Sequence, residues 1–265
     1  HYISWNISKT VHLGLFESVV WQTRDGEYHR GFDFNYLNPI VLYRPTEFSI
    51  GSADNSLLGL DFNVDFLHKW TVYTQFMLDE FLLREITAGD GWWGNKYAWQ
   101  IGIKRNAEKS FLRFEFNLAR PFTYSHGSEK QNYANLHQPI ADPLGANFYE
   151  AIAQANFKIG KRGSLTNFFM LYLKGEDPPE VNNGGDIFKP YTNPAKIYGN
   201  YIGQGNQRKV AFYKVQYNYL LSETNRLNLM VGMQFRAQRF LGDSQFSTLL
   251  FIGVSTAIWN RYWDF

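Results

Sequence analysis

The chain contains no cysteine, which excludes a disulfide scaffold, a thiolate metal centre and a cysteine nucleophile. It has no apolar run of the roughly 18 residues that a membrane-spanning helix needs. Its apolar stretches are broken by Asp, Lys or Gln, and mean hydropathy is −0.36. Charge excess is absent too: 26 Lys and Arg against 24 Asp and Glu leave +2, with no basic block or stripe. Nucleic acid is therefore not an expected partner. His1, His12, His29, His68, His126 and His137 lack the spacing of a strand or helix metal site, so no metal and no cofactor are expected. The chain opens His1-Tyr2-Ile3-Ser4-Trp5 without the charged and apolar regions of an export signal. Any such signal is expected to have been removed or to lie outside this sequence.

Aromatic residues and period-two alternation are abundant. Phe, Tyr and Trp make up 18% of the chain, and Tyr and Trp favour membrane interfaces. Leu58, Leu60, Phe62, Val64 and Phe66 alternate with Gly59, Asp61, Asn63 and Asp65. Leu112, Phe114, Phe116 and Leu118 alternate with Arg113, Glu115 and Asn117 in the same way. Eleven such strands are predicted, at 2–9, 11–21, 57–66, 70–78, 97–104, 110–119, 149–159, 165–174, 209–220, 226–238 and 246–259. Their connections alternate short and long, with long loops near 22–56, 79–96, 120–148 and 175–208. A soluble sandwich has no reason to gather its long loops at one end, whereas an up-and-down barrel with tight periplasmic turns and long extracellular loops does. The expectation is an all-β protein: one domain, 1–265, forming a transmembrane antiparallel outer-membrane β-barrel of about eleven or twelve strands in this chain.

The final strand sets the orientation. Thr248, Leu250, Ile252, Val254, Thr256 and Ile258 share one parity, with Gly253, Ser255 and Ala257 on the other. Strict alternation places the terminal Phe265 on the luminal parity, so a bulge near Asn260 is expected. With the last strand running inward, the first would start outside, against the even-stranded rule. The expectation is the C-terminal part of a larger barrel. The alternative is a strand missed in 39–44 or 199–203.

Candidate site residues fall into two groups. Asp61, Asp65, Arg113, Glu115 and Arg236 lie on the polar parity, where they either line an open pore or cross-link a closed lumen. Arg44 and Glu47, in an apolar loop, are placed to pair with them at the mouth. Asp90, Trp92, Trp93 and Asn95 join aromatic faces to polar groups, which suits sugar rings, but an interfacial aromatic girdle explains the same residues. Hydrolase readings are weak: Ser125, His126 and Ser128 sit in a polar loop where adjacent side chains point apart. Among Asp79, Glu80, Glu85 and Asp90 no histidine is near in sequence, His68 falling in a predicted periplasmic turn. Asp177, Asn182, Asn183 and Asp186 could hold calcium in a Gly-rich loop, although such loops are more often simply solvated.

Four stretches carry a family likeness: Gly31 to Phe48, with Asn-Tyr-Leu-Asn-Pro and Tyr-Arg-Pro-Thr-Glu-Phe; Gly89 to Tyr97; Arg120 to His126; and Pro143 to Asn147. Together they resemble Bacteroidota outer-membrane barrels of the gliding-motility RemB-like and capsule-assembly Wzi-like family. The likeness spans roughly residues 1–160 and the terminal strand, and weakens over 175–208. It implies a Gram-negative, non-enzymatic cell-surface barrel, tied to surface polysaccharide (capsule) or to a motility or secretion complex. Expected partners are outer-membrane lipid and lipopolysaccharide, surface polysaccharide and other envelope proteins. The rival reading is a passive porin-like channel for small solutes. No catalytic residue is implied.

Overall fold

The computed structural model describes residues 1–25, 28–29, 31–32, 34–37 and 54–256. Its strands are β1 (Tyr2–Asn6), β2 (Val11–Val20), β3 (Arg24–Asp25), β4 (Tyr28–His29), β5 (Asn55–Phe66), β6 (Trp70–Glu80), β7 (Lys96–Ala107), β8 (Ser110–Ala119), β9 (Ala134–Asn135), β10 (Gln138–Pro139), β11 (Phe148–Ile159), β12 (Gly163–Glu176), β13 (Asn206–Ser222), β14 (Leu227–Phe240) and β15 (Asp243–Ser255). One short helix, α1 (Leu83–Ala88), and two 3-10 turns complete the described elements. None of the described helices is long and apolar enough to cross a membrane. The protein is all-β: eleven strands form one antiparallel sheet in the order β1-β2-β5-β6-β7-β8-β11-β12-β13-β14-β15, while β3-β4 and β9-β10 are small hairpins. Among the described residues, β1 pairs only with β2 and β15 only with β14.

All eleven expected strands are present, with local differences at their ends. The first stops at Asn6 because the Ser8 hydroxyl accepts hydrogen bonds from the Thr10 and Val11 N–H groups and turns the chain. Residues 199–203 form no strand; the Gly199 and Asn200 N–H groups donate instead to the Asp90 and Gly91 carbonyls of another loop. The loop expected over 79–96 contains α1, closed by Gly89 in the left-handed conformation. Residues 39–44, Arg44, Glu47, the bulge expected near Asn260 and Phe265 lie outside the described residues.

Register makes the two faces of the sheet unlike. Leu58, Leu60, Phe62 and Val64 of β5 stand opposite Leu78, Phe76, Thr74 and Val72 of β6. Two-residue periodicity puts Asp61, Asn63 and Asp65 on the other face, opposite Gln75, Tyr73 and Thr71. The same division runs through β15, so that one face is mainly apolar, with Lys209 and Arg239 among its polar exceptions, and the other polar and aromatic.

Burial follows the polar face. At the long-loop end, Leu57, Met77, Ala98, Ala119 and Phe148, all on the polar-face parity, pack with Tyr124, Ala146 and Ile187 from loops 120–147 and 177–205. These loops fold onto the polar face and leave the apolar face bare: Phe114 is 55% exposed and Ile252 76%.

Candidate functional site

The loop cap is organised by a buried cation. The register of β6 with β7 shifts between Leu78 and Glu80, placing a bulge at Asp79. A bulge re-aims side chains, and here Asp79 and Glu80 both reach Lys96: the ammonium lies 3.3 Å from each carboxylate. Lys96 Nζ also donates to the Ser125 carbonyl at 3.0 Å and sits 4.4 Å from the centre of the Tyr191 ring. The Lys96 and Asp79 side chains are fully buried. Asp79 accepts a 2.7 Å bond from the Tyr124 N–H, which ties loop 120–147 to the strand. Burial, followed by the nearby Glu80 carboxylate, pushes the Tyr191 hydroxyl above its ordinary range. His126 packs edge-on to Tyr191 at 5.4 Å. Burial, followed by Lys96, holds its imidazole below the ordinary histidine value.

Backbone-directed amides and carboxylates fix the rest of the cap. The Asn147 carboxamide donates to the Gly175 and Gln204 carbonyls and accepts from the Gly203 N–H. Asn200 donates to the carbonyls of Gly91, Lys196 and Ile197. Asp177 accepts from the N–H groups of Asn183, Gly185 and Asp186, so the carboxylate considered for calcium is occupied by backbone. No cluster of metal-binding side chains occurs among the described residues.

The sequence-derived candidates are dispersed. Trp93 lies in an aromatic cluster with Tyr191 at 5.0 Å, Phe122 at 5.7 Å and Trp92 at 5.8 Å. Asn95 is buried and accepts the Leu82 N–H, whereas Asp90 is exposed. Asp61 is 3.4 Å from His12, and Asp65 accepts from Thr71. Arg113 is 3.7 Å from Glu115, which also accepts a 2.5 Å bond from the Tyr73 hydroxyl. Arg236, distant from these, donates to Gln238. Ser125 Oγ donates to the Phe122 carbonyl and is buried, so it does not form a nucleophile pair with His126.

Sequence reading did not single out one cleft of the cap. A cleft of about 390 Å³ between loops 120–147 and 177–205 is lined by Leu144, Lys174, Glu176, Asp186, Phe188 and Lys189, among others. The Phe188 ring stacks on His137 with 4.0 Å between centres. An aromatic stack stands there beside charged groups, Glu176 paired with Arg208 and Lys189 with Asp177, which joins the apolar and polar surfaces that a sugar ring contacts. The Gly-rich segment around Asp177 and Asp186 supplies one wall, but no local motif joins it to residues 139–145, which supply the other. No family model matches the chain, and no curated protein matches it in sequence.

Proposed function

We propose that this chain is a non-enzymatic outer-membrane β-barrel that organises the cell surface. Its loop cap contacts surface polysaccharide or an envelope partner, as the resemblance to RemB-like and Wzi-like proteins implies. The observation that carries this reading is the inverted burial. A protein surrounded by water hides its apolar face, yet here loops pack on the long-loop end of the polar face and leave the apolar one bare. Hydrocarbon is the solvent this face fits. Three polar side chains of that face pair internally: Trp99 Nε1 donates to Thr74 Oγ1, Thr74 to the Gln100 carbonyl, and the Tyr213 hydroxyl to Asn167. Lipid demands such pairing because it offers no hydrogen bonds of its own. It also demands that the free edges of β1 and β15 be taken up by strand pairing.

Within a closed sheet the polar face lines the lumen, and the packed cap stoppers its long-loop end. This favours a surface-organising role over a passive channel. The test has two arms. In planar bilayers the protein should give no sustained open-pore current, and it should be retained on immobilised surface polysaccharide, with retention falling at least fivefold in Phe188→Ala. Ohmic porin-like currents would overturn the reading in favour of the channel. Retention insensitive to Phe188→Ala would remove the glycan role of the cleft.

A further inference from the structure

Two cross-strand rows of the apolar face line a trough. The row nearest the long loops runs Tyr149, Leu173, Lys209, Arg239, Ser244, each opposite the next in register. Two residues further down, Phe116, Ala151, Leu171, Ala211, Ala237 and Phe246 form the floor. The next row down, Phe114, Ala153, Phe169, Tyr213, Phe235 and Thr248, lies outside the trough. Alanines among the bulkier Tyr149, Leu173, Phe116, Leu171 and Phe246 leave a space of about 720 Å³. Six adjacent strands at about 4.8 Å spacing give it a length of roughly 24 Å. One leaflet of a hydrocarbon core about 30 Å thick is roughly 15 Å deep. The trough is therefore long enough for an acyl chain.

Its upper rim carries the second observation. Lys209 and Arg239 are directly opposite each other, and both are exposed. Neither has an ion-pair partner among the described residues. Like charges directly opposite in a sheet destabilise it, and cations on a lipid-facing surface are costly away from the interface. An anion bound between them would reverse both penalties, and phosphate suits a paired guanidinium and ammonium. A second groove on the same face, about 630 Å³ and lined by residues such as Val72, Ile101, Phe114, Ala153 and Phe169, has no basic side chain. Charge thus distinguishes the first.

We infer that this trough binds a phosphorylated, acylated lipid of the outer leaflet, of the lipid A class, with phosphate on Lys209 and Arg239 and an acyl chain over Ala151, Ala211 and Ala237. The inference rests on the membrane reading above and names one ligand of the surface it assigns to lipid. It is tested by native mass spectrometry of the detergent-purified protein titrated with bisphosphorylated lipid A and with its dephosphorylated form. The wild type should retain the phosphorylated lipid at least tenfold better. Lys209→Gln with Arg239→Gln should abolish that preference, and Ala211→Phe with Ala237→Phe should weaken both lipids. Equal binding of the two lipids by the wild type, or an unchanged preference in the charge variant, would overturn the site. Insertion into lipid vesicles, read by protease protection, separates the two levels: a protein that inserts but shows no preference sinks only the trough. One that never inserts sinks the membrane reading and the trough with it.

Discussion

Lys96 is a cation without solvent, held by two carboxylates, a carbonyl and a ring face. Removing the cation leaves the fully buried Asp79 without its counter-charge, and breaking a buried pair in this way typically costs about 3–5 kcal/mol. Lys96→Met should therefore lower unfolding stability by about 3 kcal/mol or more, read from denaturant titration of the refolded protein. His126 makes the cap sensitive to acid. Burial, and then Lys96, oppose protonation of its imidazole in the folded cap. The unfolded chain takes up the proton once pH falls below about 6.5, whereas the folded cap does so only at lower pH. The stability this residue contributes is thus present above that value and lost as pH falls. Asp142 works in the opposite sense: burial raises its carboxyl, so acidification relieves a penalty. Comparing melting curves of wild type and His126→Asn between pH 7 and 5 isolates the histidine, and the wild type should lose more. Little of this was legible in the sequence. That Lys96 meets Asp79 and Glu80 follows from hairpin pairing, but its burial depends on Ser125 and Tyr191, which arrive from distant loops.

The strands were legible because each carries its own amphipathic record, apolar at every second residue whatever its neighbours do. Register was less so, and some of it is fixed by close approach at glycine. A Cβ at Gly102 of β7 would overlap the Tyr73 ring, which stands opposite it on β6. That ring crosses the glycine to place its hydroxyl on Glu115 of β8. Gly102→Val should displace Tyr73 and break this two-strand reach, at a cost of about 1–3 kcal/mol for overpacking. In a double-mutant cycle with Tyr73→Ala, measured by denaturant unfolding, much of that cost should disappear, because the clash needs both side chains. An additive result would mean that the ring does not set the spacing. The loops defeat such reading for the same reason that they interest us. Asp177 and Asn147 hold backbone groups, and neither residue type announces that partner in sequence.

At the scale of the whole molecule the account turns on which face meets lipid. The apolar alternation in the sequence suggested a bilayer. The structure adds that the loops choose the opposite face, leaving nothing in the described chain to cover the apolar one. Edge strands β1 and β15, each paired on one side only, are long-lived in lipid only when paired on both. The absence of cysteine makes the decisive experiment direct, since any introduced thiol is the sole labelling site. Single cysteines placed from Leu165 to Tyr172 along β12, spin-labelled in protein reconstituted into bilayers, report collision with oxygen in lipid and with a nickel chelate in water. Residues Leu165, Asn167, Phe169 and Leu171 should favour oxygen, and Thr166, Phe168, Met170 and Tyr172 should not, with a period of two. A flat profile, or one in which the apolar parity meets the nickel chelate, would contradict the assignment of that face to lipid.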